Sequence, residues 1–193
     1  MDKETLERLS ARDFIKTAFL KLLEKSPFEK ITVSQIVQMA GISRSTFYLH
    51  FQDKFDLMEH ITNQITDKFI SYYGQNERDL QKLDLNLSIQ DTTLNICTHI
   101  LLNKDFYRER FKNQIFIQYL TEKLIDQLII IFQNKAYAIF AGYGTIGYIT
   151  QWVHDEFKLS TIEAAAELTG IGLLNWSEFG VVMNIEENKK RSI

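Results

Sequence analysis

Apolar residues recur every three or four positions along most of the chain, which is the period of a helix that packs one face on a core. The chain has a single Pro among its 193 residues, so few positions interrupt this pattern. These two observations predict an all-α fold. A chain of this length can also bury a sizeable core, and a small N-terminal domain can be stabilised by a larger C-terminal one.

One segment near the N-terminus predicts two short helices joined by a tight turn. Thr32 and Gln35 have the spacing of a reciprocal capping box at the start of the first helix. Gly41 falls where the chain must turn, because glycine tolerates the positive φ that ends many helices. Ser43 is then a natural N-cap for a second helix, which we expect from Arg44 to about Phe51.

The second of these helices has the side chains of a DNA-reading helix. It would be roughly 10 Å long, which suffices to lie across a major groove. Phe47 and Phe51 are four residues apart and are expected to face inward. The outer faces then carry small, polar and aromatic groups, with a cation just past the helix end: Arg44, Ser45, Thr46, Tyr48, His50 and Lys54. The alternative is a packing hairpin, since any all-α protein can show Gly at a turn and Ser at a cap.

The charge balance limits how such a helix could bind DNA. The formal net charge is −3, which argues against a broadly basic, non-specific nucleic-acid binder. Residues 1–60 contain nine Lys and Arg and nine Asp and Glu, so the candidate DNA-binding part is neutral. Binding would depend on a few well-placed groups and on presenting two copies of the helix in a dimer.

The stretch from Ile31 to Leu57 resembles the N-terminal DNA-binding domain of the TetR family of bacterial transcriptional regulators. The usual pattern of that family reads Thr, an apolar helix, then Ala-Gly-Val-Ser-x-x-Thr-Leu-Tyr-x-x-Phe-x-x-Lys. The matching residues here are Thr32, Ala40-Gly41-Ile42-Ser43, Thr46-Phe47-Tyr48, Phe51 and Lys54. Two positions depart from the pattern, because Ser45 stands where Gly is frequent and Gln52 where Pro or Lys is frequent.

The resemblance implies a dimeric repressor whose third helix enters the major groove. Its domains would be a helix-turn-helix domain at residues 1–53 and a helical effector-binding and dimerisation domain at residues 54–193, with residues 54–73 as a linking helix. Carried over residue by residue, it implies this DNA-facing set: Thr32, Ser43, Arg44, Ser45, Thr46, Tyr48, His50 and Lys54.

The remaining pattern predicts further helices. The first precedes the DNA-reading pair, and the others follow a polar, irregular stretch at residues 77–86. The expected helices are Lys3–Lys25, Lys54–Tyr73, one from Leu87 or Ser88 to Leu102, a helix capped by Asn103, Gln114–Gln133, Ala136–Val153 and a last one opened by a capping box between Ser160 and Glu163.

The last two helices carry stripes of small or apolar residues that suggest a dimer interface. Small side chains let a partner helix approach closely. The family resemblance implies the same arrangement, with the last two helices of each subunit packed together. The residues of the two stripes are Ala138, Gly142, Thr145, Ile149, Ala164, Ala165, Leu168 and Ile171. The alternative is that both stripes belong to the core of one chain.

A ligand pocket is a second expectation that follows from the resemblance, since the larger domain of these regulators commonly encloses one. The candidate lining residues are aromatic: Phe106, Tyr107, Phe111, Phe116, Tyr119 and Trp152. Aromatic residues at helical spacing are more often part of an ordinary core. Arg108, Arg110 and His99 are candidates for orienting an anionic ligand.

Other classes of site find little support in the sequence. Cys97 is the only cysteine and the histidines lack metal-ligand spacing, so we expect no metal. We also expect no cofactor and no catalytic residues, because phosphate-binding loops and nucleophile–base motifs are missing. The charged first residues do not fit a secretory signal, which predicts a cytoplasmic protein. Residues 136–153 are uncharged, but their glycines, threonines and tyrosines make a poor membrane span.

The sequence thus predicts a homodimeric repressor that binds a palindromic double-stranded operator and is released by a small-molecule effector. A regulator-like coactivator that acts through a partner protein is the alternative. A helical enzyme is a more distant one, because no carboxylate pair or activated nucleophile stands out.

Overall fold

A computed structural model of the chain describes residues 11–74 and 85–172, and for residues 85–89 the backbone alone. The described residues form nine α-helices and one short 3-10 turn at Phe28–Lys30, with no strand among them. The helices are α1 (Ala11–Leu23), α2 (Val33–Ala40), α3 (Arg44–His50), α4 (Lys54–Gly74), α5 (Leu85–Leu102), α6 (Lys104–Arg110), α7 (Gln114–Phe132), α8 (Lys135–His154) and α9 (Thr161–Gly172). The all-α prediction is confirmed.

Helices α1 to α3 and the start of α4 enclose a small apolar core, which we call the head. Its most buried side chains come from all four helices: Ile15, Phe19, Ile36, Phe47, Phe51 and Leu57, each at most 2% exposed. The predicted capping box at Thr32 is present, and Gly41 ends α2 in the left-handed region with φ of 68°. These local signals fix where α2 ends and α3 begins.

Helix α4 runs through both halves of the molecule. Near its start, His60 Nδ1 lies 3.0 Å from the Arg12 guanidinium of α1. Further along, Asp67 accepts from Lys123 of α7 at 2.6 Å. Phe69, near the far end, is fully buried. One continuous helix is therefore anchored to the head at one end and to the rest of the chain at the other.

Helices α5 to α9 form the larger part, which we call the body. Helix α7 packs along α8, and α5 packs along α9. Asn113 and Asn134 cap α7 and α8, each accepting hydrogen bonds from two amides of the first turn. The predicted capping box between Ser160 and Glu163 is also present, with the Ser160 amide donating to the Glu163 carboxylate at 2.8 Å.

Several expectations fall outside the described residues or differ in detail. The start of the predicted first helix, residues 3–10, lies outside the described residues. So do residues 77–84 of the polar stretch predicted at residues 77–86. Asn103 precedes α6 as expected, but its side chain makes no capping hydrogen bond and donates to the His99 carbonyl at 2.9 Å instead.

Candidate nucleic-acid interface

Helix α3 begins at a small cluster of hydroxyl groups. The Ser43 Oγ accepts a hydrogen bond from the Thr46 amide at 3.0 Å, which caps the helix. The same oxygen lies 2.7 Å from the Ser45 Oγ and 2.8 Å from the Thr46 Oγ1. Three hydroxyls therefore meet at the positive end of the helix dipole, where contacts to phosphate oxygens are favoured.

The orientation of α3 follows from one buried side chain. Phe47 is 0% exposed and anchors the helix to the head. At 100° per residue, Ser45 and Leu49 lie on the side opposite Phe47 and project farthest from the core. Leu49 is 82% exposed, the most exposed of the large apolar side chains on this helix. Sequence reasoning missed Leu49, although its position two residues after Phe47 and four after Ser45 carried the signal.

The predicted DNA-facing residues of α3 are brought together on the exposed surface around Leu49. Ser45 and His50 are exposed, and Tyr48 is 56% exposed, whereas Thr46 is half-buried. The Arg44 guanidinium donates to the Ser34 hydroxyl, so this exposed side chain reaches back across α2. No other Lys or Arg occurs between residues 31 and 53.

Thr32 is exposed but its polar groups are engaged in capping α2. Its hydroxyl donates to the Gln35 Oε1 at 3.0 Å and accepts from the Gln35 amide at 3.3 Å. The cap positions Thr32 at the entrance of the helix-turn-helix, beside the exposed polar groups of α2.

Lys54 is placed differently from the sequence prediction. Its ammonium donates to the carbonyls of Phe28, Glu29 and Ile31 at 3.0, 3.0 and 2.9 Å. It also lies 4.7 Å from the centre of the Phe28 ring. An ammonium has three donors, and all three are taken. Lys54 therefore holds the turn between α1 and α2 against α4 and does not extend toward a phosphate.

The aromatic residues expected to line a pocket separate into two groups. Phe106, Tyr107, Phe111 and Trp152 are at most 4% exposed and belong to the body core. Tyr107 makes an edge-to-face contact with Phe106 and a tilted ring contact with Phe111, and Trp152 donates to the Leu159 carbonyl at 3.0 Å. These four side chains are packed into the body core rather than lining a ligand cavity.

The other two border an open cleft on the surface between head and body: Tyr119 is exposed there, and Phe116, only 2% exposed, lies at the edge of the body core. His99, a candidate for orienting an anion, is buried beside Tyr107, with its Nε2 3.1 Å from the phenol oxygen. Burial lowers the pKa of His99 to about 4, so the imidazole is neutral at neutral pH.

The small-residue stripes predicted as a dimer interface mostly face the interior of the chain. Ala138, Ile149, Ala164, Ala165 and Leu168 are at most 6% exposed. A Cβ built on Gly142 would lie 2.5 Å from the Ile125 Cγ1 of α7, so the glycine admits that side chain. Thr145 is half-buried. Of the eight residues, Ile171 alone is exposed, at 42%. The chosen face of α8 was therefore wrong, because α7 covers it.

The opposite faces of the two helices are exposed. On α8 they carry aromatic residues and two glycines: Tyr137, Phe140, Tyr143, Gly144 and Gly147. On α9 they carry Ile162, Ala166 and Gly170. A Cβ built on Gly144, Gly147 or Gly170 has no atom of the described residues within 4 Å. These residues define what we call the outer face of α8 and α9.

Two further observations on the described residues concern other kinds of site. No group of three or more His, Cys, Asp or Glu side chains in residues 11–74 and 85–172 could hold a metal ion. Within the same residues, no helix is long and apolar enough to span a membrane.

The head matches a known protein family. The family model of bacterial regulatory proteins of the tetR family matches residues 15–61. Residues 15–61 therefore form a DNA-binding domain of the TetR type. The chain is thus a helix-turn-helix DNA-binding protein of transcription regulation. The TetR match covers α1 to α3 and the beginning of α4, which are the elements of the head and its anchor.

Curated TetR-like relatives extend the similarity into the body. The chain is 27% identical over 153 residues to an HTH-type transcriptional regulator of Staphylococcus aureus strain bovine RF122 / ET3-1, covering 66% of this chain and 81% of that relative. It is 30% identical over 107 residues to another from strain USA300, covering 50% of this chain and 58% of the relative.

Solved structures share the TetR fold over most of the chain. The dihydroxyacetone kinase operon activator DhaS aligns with a TM-score of 0.63 at 18% identity, over 83% of this chain and 93% of that one. The TetR family repressor AlkX from Dietzia sp. strain DQ12-45-1b aligns with a TM-score of 0.54 at 18% identity, over 85% and 94%.

Proposed function

We propose that this protein binds a palindromic operator as a homodimer, represses transcription there and is released by a small-molecule effector. The observation that carries the proposal is the exposed surface of α3, where Ser45, Tyr48, Leu49 and His50 surround a helix anchored by Phe47. A helix held this way can enter a major groove without disturbing the head core. Two copies in successive grooves would read half-sites about 34–36 Å apart.

The side chains of α3 suggest that some of them contact bases and others contact phosphates. Ser45 is small and Leu49 is apolar, so the outermost line of the helix suits close approach and contact with a thymine methyl group. Arg44 and Tyr48 flank one side and His50 the other, where they are suited to phosphates or to the edge of a guanine. The local scarcity of cations makes these few groups and dimerisation the source of affinity.

Selection of bound DNA from a random library would test the operator proposal. We expect an inverted repeat, and we expect Leu49→Ala to weaken preference at one position of each half-site by about 1–3 kcal/mol. Tyr48→Phe should weaken all sequences alike. Leu102→Ala is the matched control, because Leu102 is 80% exposed on the body. Selection of no sequence, or equal binding of all sequences by wild type and Leu49→Ala, would contradict the proposal.

The outer face of α8 and α9 is the proposed dimer interface. It exposes two aromatic rings more than half, Phe140 and Tyr143, on a helix that has no charged residue between 136 and 153. Exposed apolar surface of this kind is typical of protein interfaces. The open space above Gly144 and Gly147 allows a partner helix to approach closely.

Light scattering of two glycine variants would test the interface. Gly147→Glu adds a charge to the outer face, and its Cβ would have no atom of the described residues within 4 Å. We expect it to convert a dimer into a folded monomer and to weaken operator binding. Lys104→Glu, exposed at the start of α6, should leave the dimer intact. A dimer that survives Gly147→Glu and Gly144→Glu would rule out this face.

Release by an effector would act through α4, which contacts both head and body. A ligand can shift the head spacing only by as much as its affinities for the two dimer conformations differ. The measurement is operator affinity at increasing ligand concentration. A ligand that binds and leaves operator affinity unchanged is not an inducer.

Activation through a partner protein is a second candidate function. It is favoured by the dense packing of Phe106, Tyr107, Phe111 and Phe116, which fill the part of the body expected to hold an internal cavity. One solved structure with this fold is named an activator. Transcription assays in the native host background would separate the two, because deletion of the gene raises expression under a repressor and lowers it under an activator.

A further inference from the structure

A cleft of about 380 Å³ lies where the head meets the body. Phe28 and Phe55 border it on the head side. Thr62 of α4, Arg110 of α6 and the aromatic pair Phe116 and Tyr119 border it on the body side. Its volume falls within the range of small-molecule sites, which is about 300–1,000 Å³. Six of the eleven lining residues are apolar or aromatic, and five are polar or charged.

Arg110 is a half-buried cation that forms no salt bridge with a carboxylate of the described residues. Among the described residues, no carboxylate pairs with it and no acceptor receives a hydrogen bond from it; its Nε is inaccessible and unpartnered. Its guanidinium carbon lies 4.6 Å from the centre of the Phe116 ring. Glu109, next to it, is already paired with Lys112 at 2.8 Å and accepts from the Phe28 amide at 3.3 Å.

Arg108 shows what the same side chain does elsewhere on α6. It also lies over a phenyl ring, with its guanidinium carbon 5.2 Å from the centre of Phe157. It donates to Asp105 at 3.1 Å and to Glu156 at 2.6 Å. Two arginines of one helix thus share an aromatic contact and differ in having an anionic partner. Removing a cation from water without such a partner is costly.

Thr62 supplies a second unsatisfied polar group at the cleft. Its side chain is 94% buried and its hydroxyl oxygen has no hydrogen-bond partner in the part of the chain that is described. Most buried hydroxyls are hydrogen-bonded. Rotation about one side-chain bond can turn the hydroxyl toward a bound group, and Asn63 and Asn113 border the same cleft with amide groups.

We propose that the cleft binds a small organic anion in which one carboxylate is joined to an apolar body. The carboxylate would accept from the Arg110 guanidinium in the forked geometry that suits this pair. The apolar body would lie along Phe28, Phe55 and Phe116. Glu59 is exposed at the border of the cleft, which disfavours a second negative charge on the ligand.

The position of the cleft gives such a ligand a direct route to the head. Phe28 belongs to the turn that Lys54 fixes, and its amide is joined to Glu109 of the body. A ligand between Phe28 and Phe116 would change the separation of the two parts. This consequence rests on the proposed function, whereas ligand binding itself does not.

Isothermal titration calorimetry of the full chain tests the site. The probes are a series of ω-phenylalkanoates from phenylacetate to 6-phenylhexanoate, each matched with the alcohol of the same length. We expect at least one acid to bind at least tenfold more tightly than its alcohol. Arg110→Gln should remove that preference, and Arg110→Lys should restore part of it. Arg108→Gln is the matched control and should keep the preference.

Two results would overturn the site. One is that no acid binds at millimolar concentration; the other is that Arg110→Gln and Arg108→Gln lose the preference equally. Circular dichroism and thermal unfolding of each variant separate lost binding from lost folding. Thr62→Val should weaken the acid severalfold while leaving the alcohol unchanged.

Operator titrations distinguish this inference from the proposed function. If the acid binds and wild-type protein binds no DNA, the site stands and the DNA proposal fails. If the protein binds its operator with equal affinity in the presence and absence of a bound acid, the site stands without a role in release.

Discussion

The head and the body differ in what determines which side of a helix is buried. In the head, α3 has seven residues, a serine cap and one buried phenylalanine, so its exposed side is fixed by neighbours in sequence. In the body, α8 has 20 residues, and both its covered and its uncovered sides are small or apolar. The side that α8 buries is fixed by Ile125 of α7, which fills the space at Gly142. Short capped helices are oriented locally, whereas a long uncharged helix is oriented by its partner.

The largest expected contrast concerns pH. The body buries His99 beside Tyr107, and burial holds the pKa of its imidazole at about 4, below the ordinary 6.5. The unfolded chain then binds more protons than the folded one between these values. The free energy of unfolding should therefore fall as pH decreases from about 6.5 to about 4, by on the order of 3 kcal/mol.

Urea unfolding at several pH values checks this expectation. His99→Gln should remove most of the slope. Burial and Arg12 also lower the pKa of His60, so a smaller slope of the same sign should remain. An unchanged slope in His99→Gln would contradict the assignment to the body.

Replacing Lys54 tests how much its three hydrogen bonds stabilise the head. Lys54→Met removes three hydrogen bonds to the carbonyls of residues 28, 29 and 31. We expect a loss of about 1–3 kcal/mol in the free energy of unfolding, because the carbonyls of this turn lose a charged donor. The dependence of operator affinity on salt should keep its slope, since no phosphate contact is removed. A flatter salt dependence with unchanged stability would instead support a phosphate contact.

Two glycines of α8 test which side of the helix faces the core. Gly142→Ala should destabilise the monomer by about 1–3 kcal/mol, because its Cβ would overlap Ile125. Gly147→Ala should stabilise the helix by about 0.5–1 kcal/mol, because its Cβ meets open space. Thermal unfolding under conditions where the protein is monomeric measures both. Equal changes in stability for Gly142→Ala and Gly147→Ala would contradict the assignment of a buried and an exposed side to α8.

The smallest expected effect is the loss of one helix cap in each region. Ser43→Ala and Ser160→Ala remove comparable N-caps, each of which contributes about 1 kcal/mol. Chemical denaturation should show similar losses for the two variants. Only Ser43→Ala should also weaken operator binding, since Ser43 begins the reading helix. A loss of binding in Ser160→Ala would indicate that the body controls the head more tightly than its contacts suggest.

The sequence predicted the head better than the body for a physical reason. Capping boxes, the glycine turn and the inward phenylalanines of the head act over three or four residues, so they can be recognised along the chain. Lys54 escaped this reasoning because its carbonyl partners lie more than 20 residues earlier. The same holds for Gly142, whose neighbour Ile125 belongs to another helix.

At the candidate ligand site, the sequence predicts even less than it does for Lys54 or Gly142. Arg108 and Arg110 are indistinguishable in the sequence as two arginines of one short helix. Their partners separate them, because Arg108 forms a salt bridge with Glu156, 48 residues away, while Arg110 forms none with a described carboxylate. An unsatisfied charge is a property of the folded chain and has no local signature.

The unbroken length of α4 sets a mechanical scale for the whole protein. Its 21 residues span roughly 30 Å, so a tilt of roughly 5° about Gly74 displaces the Lys54 end by roughly 3 Å. Successive base pairs of DNA are separated by about 3.4 Å. A small tilt of α4 would therefore move the Lys54 end by about the separation of two successive base pairs. A dimer built on two such helices would tolerate very little angular play before its heads lost register with their half-sites.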